Sequence, residues 1–344
     1  TIPVGKVSGI YAKKQDVTPV GITAVLPYRY PAADVEVSVM REGKLQRIGL
    51  LRITDGQSPK ELRLYGVSHV SCKIYGFMLD MNNACQKSLE VALPENLHSV
   101  INVPRSYGLC GISGKDGHRT AVCVDFFTGE VKTRAIDVMA LFLTPSNAAV
   151  AVVCHDGICA LQTLPIEIGA DYMTKSDALG PVQPTFAIPD GLKPEYFGNY
   201  PGVSIGTKES TSYLLSANKG DGNWTAVMLD KEGFHIMEDI AAESLIPFRA
   251  GSDAGYIATY GGLSLFRLVN PENGTIGQAI YTCKIGQIIS ATSNSEKPGH
   301  ILLNVSETSN GLQIYDLAWN DTKSLSHITL PNSANDYAEV LMAN

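Results

Sequence analysis

The chain has 344 residues, of which 44% are apolar and 18% are charged, and its formal net charge is −7. This apolar content excludes an intrinsically disordered chain, which combines few apolar residues with a high net charge. The acidic balance argues against a nucleic-acid partner, because a general nucleic-acid binder needs a basic surface. No run approaches about 18 consecutive apolar residues, so no membrane span is predicted. The first residues show no basic segment followed by a long apolar run, so no signal peptide is predicted there.

The charge is unevenly distributed along the chain. Residues 1–73 contain 11 Lys or Arg and 6 Asp or Glu, whereas the remaining residues contain 16 basic and 28 acidic side chains. Such asymmetry can mark surfaces of opposite sign that bring like subunits together in a head-to-tail assembly. Ordinary scatter over a solvated face is the alternative explanation.

Short apolar runs separated by turn residues dominate the chain and predict β-strands. Several of them alternate apolar and polar residues with the period of two that is typical of a half-buried strand. Only residues 238–245 and 334–342 could hold a short helix. The sequence therefore predicts an all-β protein. The clearest predicted strands are residues 120–127, 148–153, 158–164, 213–217, 225–229, 256–260, 263–269, 301–305 and 312–317.

Turn signals recur at a regular spacing. Most intervals between their glycines are 33 to 49 residues, and one is 65. One blade of a β-propeller occupies about 40–50 residues, so the seven signals predict a seven-bladed propeller. The signals are Glu42-Gly43, Tyr75-Gly76, Asp116-Gly117, Asp156-Gly157, Asp221-Gly222, Gly261-Gly262 and Asn310-Gly311.

Two domain arrangements fit this pattern. In the first, residues 1–344 form a single propeller, and a Pro-rich segment at about 165–201 is inserted between blades. Proline lacks the N–H that a central strand needs, so this segment is predicted to be a long loop. In the second, residues 1–100 form a β-sandwich and residues 101–344 form a smaller propeller or a second β domain.

Four of the seven cysteines form two pairs around predicted hairpin turns. If Asp116-Gly117 is a two-residue turn, Cys110 lies opposite Cys123, and a turn at Asp156-Gly157 places Cys154 opposite Cys159. Both pairs fall at non-hydrogen-bonded positions, where Cα atoms lie about 4.5 Å apart, within reach of a disulfide. These residues are therefore possible disulfides of an extracytoplasmic protein. Buried free thiols are the alternative.

The sequence nominates no catalytic residue, no cofactor and no metal ligand. Its seven histidines are all at least 20 residues apart, so no local pair of metal ligands exists. Residues 202–206 match the letters Gly-x-Ser-x-Gly, but no helical run follows them, and a nucleophile elbow needs a strand-to-helix turn. A glycine-flanked strand is the better interpretation of this segment.

Aromatic residues in Pro- and Gly-rich segments are candidates for a partner-binding loop. They are Tyr172, Tyr196, Phe197 and Tyr200. Aromatic side chains on loops are common in recognition surfaces. The alternative is that they pack the loop onto the protein body.

These observations favour a non-enzymatic structural or interaction propeller that binds protein partners or assembles with itself. A larger extracytoplasmic assembly, such as a virion or a cell-surface apparatus, is the predicted context. The second hypothesis is a carbohydrate-binding or carbohydrate-active propeller with a glycan partner. The third is a lactonase-like hydrolase with a metal in its central channel.

Overall fold

The computed structural model describes residues 2–4, 10–18, 21–25, 33–41, 44–53, 62–79, 85–102, 108–114, 118–125, 130–145, 148–164, 185–206, 211–293, 299–307, 311–320, 323–328 and 337–343. Within these ranges every regular element is a β-strand apart from one short 3-10 helix at Pro194–Tyr196. The predicted all-β class is confirmed.

Five strands at the start of the chain form one antiparallel sheet. They are β1 (Ile2–Val4), β2 (Ile10–Thr18), β3 (Gly21–Val25), β4 (Ala33–Arg41) and β5 (Lys44–Ile53). Their order across the sheet is β3-β2-β1-β4-β5. Arg41 pairs with Lys44 at the end of the β4–β5 hairpin, so the predicted turn at Glu42-Gly43 joins these two strands, although its own residues lie outside the described ranges.

The next 24 strands form six four-stranded antiparallel sheets, which are the blades of a propeller. Blade 1 contains β9 (His98–Asn102), β10 (Gly108–Ser113), β11 (Thr120–Asp125) and β12 (Glu130–Ile136). Blade 2 contains β13 (Val138–Leu143), β14 (Ala149–His155), β15 (Ile158–Thr163) and β16 (Thr185–Ala187). Blade 3 contains β17 (Val203–Gly206), β18 (Thr211–Asn218), β19 (Asn223–Asp230) and β20 (Gly233–Ala241).

The remaining blades follow the same plan. Blade 4 contains β21 (Ser244–Ala250), β22 (Asp253–Tyr260), β23 (Leu263–Val269) and β24 (Ile276–Cys283). Blade 5 contains β25 (Gln287–Ser293), β26 (His300–Glu307), β27 (Gly311–Ala318) and β28 (Ser324–Ile328). Blade 6 contains β6 (Leu62–Ser68), β7 (Lys73–Leu79), β8 (Cys85–Ala92) and β29 (Tyr337–Ala343).

The ring closes through blade 6, which combines two distant parts of the chain. In blades 1 to 5 the first strand in sequence is the innermost one, but in blade 6 the innermost strand is β29. It pairs with β6 from Tyr337 opposite Ser68 to Ala343 opposite Arg63. The innermost strands of neighbouring blades contact one another all the way around the ring. Closure therefore leaves only the short edges of the innermost strands, which face the central axis.

The propeller has six blades, so the predicted number of seven is wrong. Five of the turn signals occupy one equivalent position, the hairpin between the second and third strands of blades 1 to 5. Glu42-Gly43 belongs instead to the first sheet, and Tyr75-Gly76 lies inside β7, where the two residues pair with Gly66 and Tyr65. The equivalent turn of blade 6 is formed by residues 69–72. Counting each of the seven turn signals as one blade therefore gave one blade too many.

Two further predictions from the sequence can be compared with the observed strands. Of the residues that could have held a helix, 238–245 contribute to β20 and β21, and the described part of 334–342, from residue 337, belongs to β29, because these strands are hydrogen-bonded into blades. The Pro-rich segment 165–201 contains β16, the fourth strand of blade 2, and its residues 165–184 lie outside the described ranges. The alternative boundary at residue 100 falls within β9.

The core lies between neighbouring blades, where the two faces of adjacent sheets meet. Between blades 4 and 5, the rings of Phe248, Phe266, Tyr281 and Trp319 form a cluster with centroid distances from 5.2 to 6.1 Å. Between blades 3 and 4, the fully buried Tyr256 hydroxyl lies 2.9 Å from the Leu215 carbonyl oxygen and 3.0 Å from that of Val227. Burial raises the pKa of this phenol far above its ordinary value. Aromatic packing and a buried hydrogen bond thus fix these blades to one another.

Candidate functional site

The alternation of antiparallel strands brings two kinds of connection to one end of the ring. One kind is the hairpin between the second and third strands of each blade, and the other links the outermost strand of one blade to the innermost strand of the next. We call this end the turn face. Its hairpins are residues 69–72, 114–119, 156–157, 219–222, 261–262 and 308–310, of which 115–117 and 308–310 lie outside the described residues.

Large apolar side chains are exposed on the turn face. Val70 is 79% exposed, Ile136 64%, Ile158 58% and Tyr260 38%. Val70, Ile158 and Tyr260 lie in or beside the hairpins of blades 6, 2 and 4, and Ile136 ends the outermost strand of blade 1. All four therefore lie at the same end of the ring, each on a different blade. We call these four residues the apolar set.

Two members of the apolar set lie beside tight turns. Asp156 and Gly157 have φ values of 49° and 78°, and Gly261 and Gly262 have values of 54° and 82°. Positive φ at both central residues defines the two-residue hairpin turn that matches the natural twist of the flanking strands. Ile158 and Tyr260 are therefore held directly beside tight turns, where His155 pairs with Ile158 and Tyr260 pairs with Leu263.

Both cysteine pairs predicted from the turns lie opposite each other in the strands. Cys110 pairs with Cys123 in blade 1, and Cys154 pairs with Cys159 in blade 2. The structure joins each pair by a disulfide, with Cα atoms 4.2 Å and 4.0 Å apart. The second bridge closes the hairpin that presents Ile158, so it adds a covalent constraint to this part of the turn face.

Residues 188–202, which link blades 2 and 3, are fixed to blade 1 by a single arginine. One Arg119 Nη1 N–H donates to the Phe197 carbonyl oxygen at 2.5 Å, and Nη2 donates to that of Glu195 at 2.9 Å. Nη1 also lies 3.4 Å from the Pro194 carbonyl oxygen. Because a cation that donates to carbonyl groups makes strong hydrogen bonds, the segment is well ordered on the ring.

The four aromatic residues proposed as a partner-binding loop occupy different environments. Tyr172 lies outside the described residues. Phe197 is 1% exposed and belongs to the core cluster between blades 2 and 3. Tyr196 is partly exposed and packs against that cluster, while Tyr200 packs against Trp224 with ring centroids 5.8 Å apart. Phe197 and Tyr196 thus share one cluster, Tyr200 packs elsewhere, and both tyrosines are partly buried.

A cavity of about 170 Å³ lies at the centre of the ring. Its walls come from β9, β21 and β25 and from residues 199–201, so strands on opposite sides of the ring face each other across it. The residues that line it include His69, His98, Asn199, Tyr200, Ile246 and Ser290. Among them, the Ser290 hydroxyl is buried and has no hydrogen-bond partner in the described part of the chain.

Ser204, the central residue of the Gly-x-Ser-x-Gly match, lies within β17 and is 5% exposed. Its hydroxyl accepts a hydrogen bond from Arg249 Nη1, and Arg249 Nε donates to the Gly251 carbonyl oxygen at 3.0 Å. Burial lowers the pKa of the Arg249 guanidinium. The contact joins the innermost strands of blades 3 and 4, which gives Ser204 a structural role in this ring.

Two further groups with shifted pKa values are Tyr315 in blade 5 and Cys283 in blade 4. A hydrogen bond from the Tyr315 hydroxyl to the Glu307 carboxylate raises the pKa of Tyr315 to about 12. Burial raises the pKa of the Cys283 thiol to about 11, so this cysteine is protonated and unreactive at neutral pH. In the described ranges, no group of three or more His, Cys, Asp or Glu side chains is placed to hold a metal ion.

Sequence reasoning missed Arg119, Arg249 and Ser290, because their roles depend on residues far away in the chain. Arg119 contacts carbonyl groups 76 and 78 residues later. Only Arg119 had a weak signal in the sequence. It follows the predicted Asp116-Gly117 turn, so its position within a blade could be inferred. Ser290 and His98 could not be found, because only closure of the ring brings their strands to one cavity.

Residues 77–297 match a family model described as the DUF4784 WD40-like domain. The match covers more than half of the chain. This chain belongs to the DUF4784 family. A family described as WD40-like agrees with the six four-stranded blades observed here.

Solved structures extend the likeness beyond the matched region. A DUF4784 family protein from Bacteroides caccae is 26% identical, with a TM-score of 0.69 over 97% of this chain and 86% of that chain. TolB from Acinetobacter baumannii is 8% identical, with a TM-score of 0.52 over 90% of this chain and 79% of that chain. A protein of unknown function from Bacteroides caccae is 11% identical, with a TM-score of 0.54 over 83% of this chain and 99% of that chain.

TolB and the protein of unknown function are similar to this chain in fold alone. Among curated proteins none matches the chain. Within the described residues, no helix has the length and hydropathy needed to cross a membrane.

Replacing Arg119 by alanine is expected to lower the free energy of unfolding by about 2 kcal/mol, because it removes charged hydrogen bonds to main-chain carbonyl groups. Residues 188–202 should then be cleaved faster by a protease in the native state. The matched control is Lys193→Ala, which removes a cation from the same segment. The Nζ atom of Lys193 lies 3.9 Å from a carboxylate oxygen of Glu195. Chemical denaturation and limited proteolysis test this, and equal behaviour of the two variants would contradict it.

Proposed function

We propose that this DUF4784 propeller is a non-enzymatic protein-binding module whose contact surface is the turn face. The observation that carries the proposal is the apolar set, four large side chains exposed at the same end of four blades. Exposed apolar side chains on stiff turns bind with a low entropic cost, because the free and bound conformations are alike.

Two features support a role in a larger assembly outside the cytoplasm, such as a virion or a cell-surface apparatus. Disulfides persist in oxidising compartments and are rare in the cytosol, and the described part of the chain contains two of them. The basic balance of residues 1–73 and the acidic balance of the remainder suit ordered contacts between copies. The occupant that we propose for the turn face is therefore a protein, with a second copy of this chain as the first to test.

The test compares self-association and partner capture in surface variants. Ile136→Lys and Ile158→Lys place charges in the apolar set, and each should reduce association at least tenfold while changing the unfolding free energy by less than about 0.5 kcal/mol. Ile280→Lys is the matched control, because Ile280 is 48% exposed but lies within the outermost strand of blade 4.

Light scattering after size-exclusion chromatography measures the mass of the wild type over a range of concentrations. Quantitative cross-linking in an extract of the source organism then identifies any other protein bound. A wild type that stays monomeric and captures the same proteins as Ile136→Lys would refute the proposal.

A further inference from the structure

The central cavity contains polar groups that the fold does not use. We propose that it binds one neutral monosaccharide unit, a role beyond the protein contacts proposed for the turn face, although His69 and residues 199–201 place the cavity at that end of the ring. The cavity is partly enclosed and its volume is about 170 Å³, which is room for roughly six water molecules. Sites for drug-sized ligands are larger, about 300–1,000 Å³. The space therefore suits one small ring.

Ser290 is the first polar group that indicates a ligand. It is 7% exposed, lines the cavity and has no hydrogen-bond partner for its hydroxyl among the described residues. An unpaired buried hydroxyl is costly. The pairing of β25 with β26 shifts register between Ile288 and Ser290, and a bulge of this kind re-aims a side chain and is frequent beside binding sites. A ligand hydroxyl in the cavity would satisfy Ser290.

His69 and Asn199 supply hydrogen-bond acceptors. His69 Nε2 lies 2.6 Å from the Leu97 carbonyl oxygen, and because a carbonyl only accepts, Nε2 carries the hydrogen. In the neutral imidazole, Nδ1 is then an acceptor. The Asn199 side-chain NH₂ donates to the Tyr196 carbonyl oxygen at 3.4 Å, which leaves its Oδ1 as an acceptor. A sugar carries several hydroxyls, each of which donates one hydrogen bond and can accept others, so separate hydroxyls can pair with His69, Asn199 and Ser290.

The remaining walls explain why the ligand is neutral and has an apolar face. Val100, Ile246 and Ile289 are aliphatic, and Tyr200 adds an aromatic ring. The described lining contains no Asp, Glu, Lys or Arg. A charged ligand would lose its hydration without gaining a counter-ion. A sugar ring has hydroxyls at its edge and C–H groups on its face, and both match these walls.

The experiment measures binding of glucose, galactose, mannose and N-acetylglucosamine to the full chain by saturation-transfer NMR and titration calorimetry. Glucuronic acid is the charged probe and should bind at least tenfold more weakly than the best neutral sugar. Ser290→Ala should weaken that sugar about tenfold, which is the loss of one hydrogen bond of about 1.4 kcal/mol. This variant removes an unpaired hydroxyl, so it should fold at least as well as the wild type.

Ser216→Ala is the matched control, because Ser216 is also buried without a hydroxyl partner in the described residues but lies on β18, away from the cavity lining. It should leave sugar binding unchanged. Absence of binding by all four neutral sugars would overturn the proposal and leave a cavity that holds solvent only. Equal affinity in Ser290→Ala and the wild type would also overturn it, because the sugar would then bind elsewhere. None of the apolar set lines the cavity, so neither outcome decides the test with Ile136→Lys and Ile158→Lys.

Discussion

Replacing Gly255 by alanine is expected to lower the free energy of unfolding by more than about 3 kcal/mol. A Cβ atom at this position would lie 1.9 Å from the Arg267 carbonyl oxygen and 2.9 Å from the Leu268 Cα. Both are backbone atoms of β23, the strand that pairs with β22. The clash cannot be relieved by turning a side chain, so the two strands must separate locally.

The consequences would extend beyond blade 4. Arg267, whose carbonyl would be displaced, makes two hydrogen bonds of 2.9 Å to the Glu238 carboxylate in blade 3. Displacing β23 would therefore weaken the contact between the two blades. Thermal and denaturant-induced unfolding measure the loss.

Gly277→Ala is the matched control for this prediction. Gly277 lies in β24 of the same blade, and a Cβ atom there would meet only the Leu268 carbonyl oxygen, at the ordinary contact distance of 3.5 Å. We expect a change of less than about 1 kcal/mol, within the range by which alanine and glycine differ in backbone entropy. Similar stability of the two variants would show that the close approach of β22 and β23 is absent in solution.

Removing the disulfide of blade 1 is expected to have the second largest effect. The bridges connect residues 13 and 5 positions apart in sequence. In the chain-entropy model, loops of these lengths give about 3 kcal/mol for Cys110–Cys123 and about 2 kcal/mol for Cys154–Cys159. The double variants Cys110→Ala/Cys123→Ala and Cys154→Ala/Cys159→Ala should therefore differ in stability in that order.

A buried cysteine without a bridge separates the covalent effect from lost packing. Cys283 is free and 7% exposed, like the bridged cysteines, which are 0 to 7% exposed. Cys283→Ala thus measures the loss of one buried sulfur. Peptide mapping without reductant should recover Cys110 linked to Cys123 and Cys154 linked to Cys159. The thiols would be shown to be free by two results together. The peptides would be unlinked, and each double variant would lower the free energy of unfolding by only twice as much as Cys283→Ala does.

Local sequence patterns predicted the local structure well. Each of the nine strong apolar runs overlaps a strand, from β11 in blade 1 to β27 in blade 5. The Asp156-Gly157 and Gly261-Gly262 pairs form two-residue turns because their residues tolerate positive φ. From a two-residue turn the register follows by counting, and the strands place Cys110 opposite Cys123 and Cys154 opposite Cys159. Strand, turn and register are decided by residues that are neighbours in the chain.

The same patterns gave wrong predictions where the structure depends on segments that are far apart in the chain. A turn signal does not say to which sheet its strands belong, so the hairpin at Glu42-Gly43 could not be told from one in a blade. The innermost strand of blade 6 comes from residues 337–343, whose sequence also fits a short helix, and only pairing with β6 makes it a strand. Hydrogen bonding to a partner strand outweighs a weak local preference.

By itself, the sequence determined that this protein is an all-β propeller with turns at a regular spacing and two cysteine pairs in facing strands. These properties follow from alternation and turn chemistry, which act over a few residues. Only the tertiary structure decided that there are six blades, that the apolar set shares one end of the ring, and that Ser290, His69 and Tyr200 line one cavity. The physical reason is ring closure, which places strands that are far apart in the chain around a common axis.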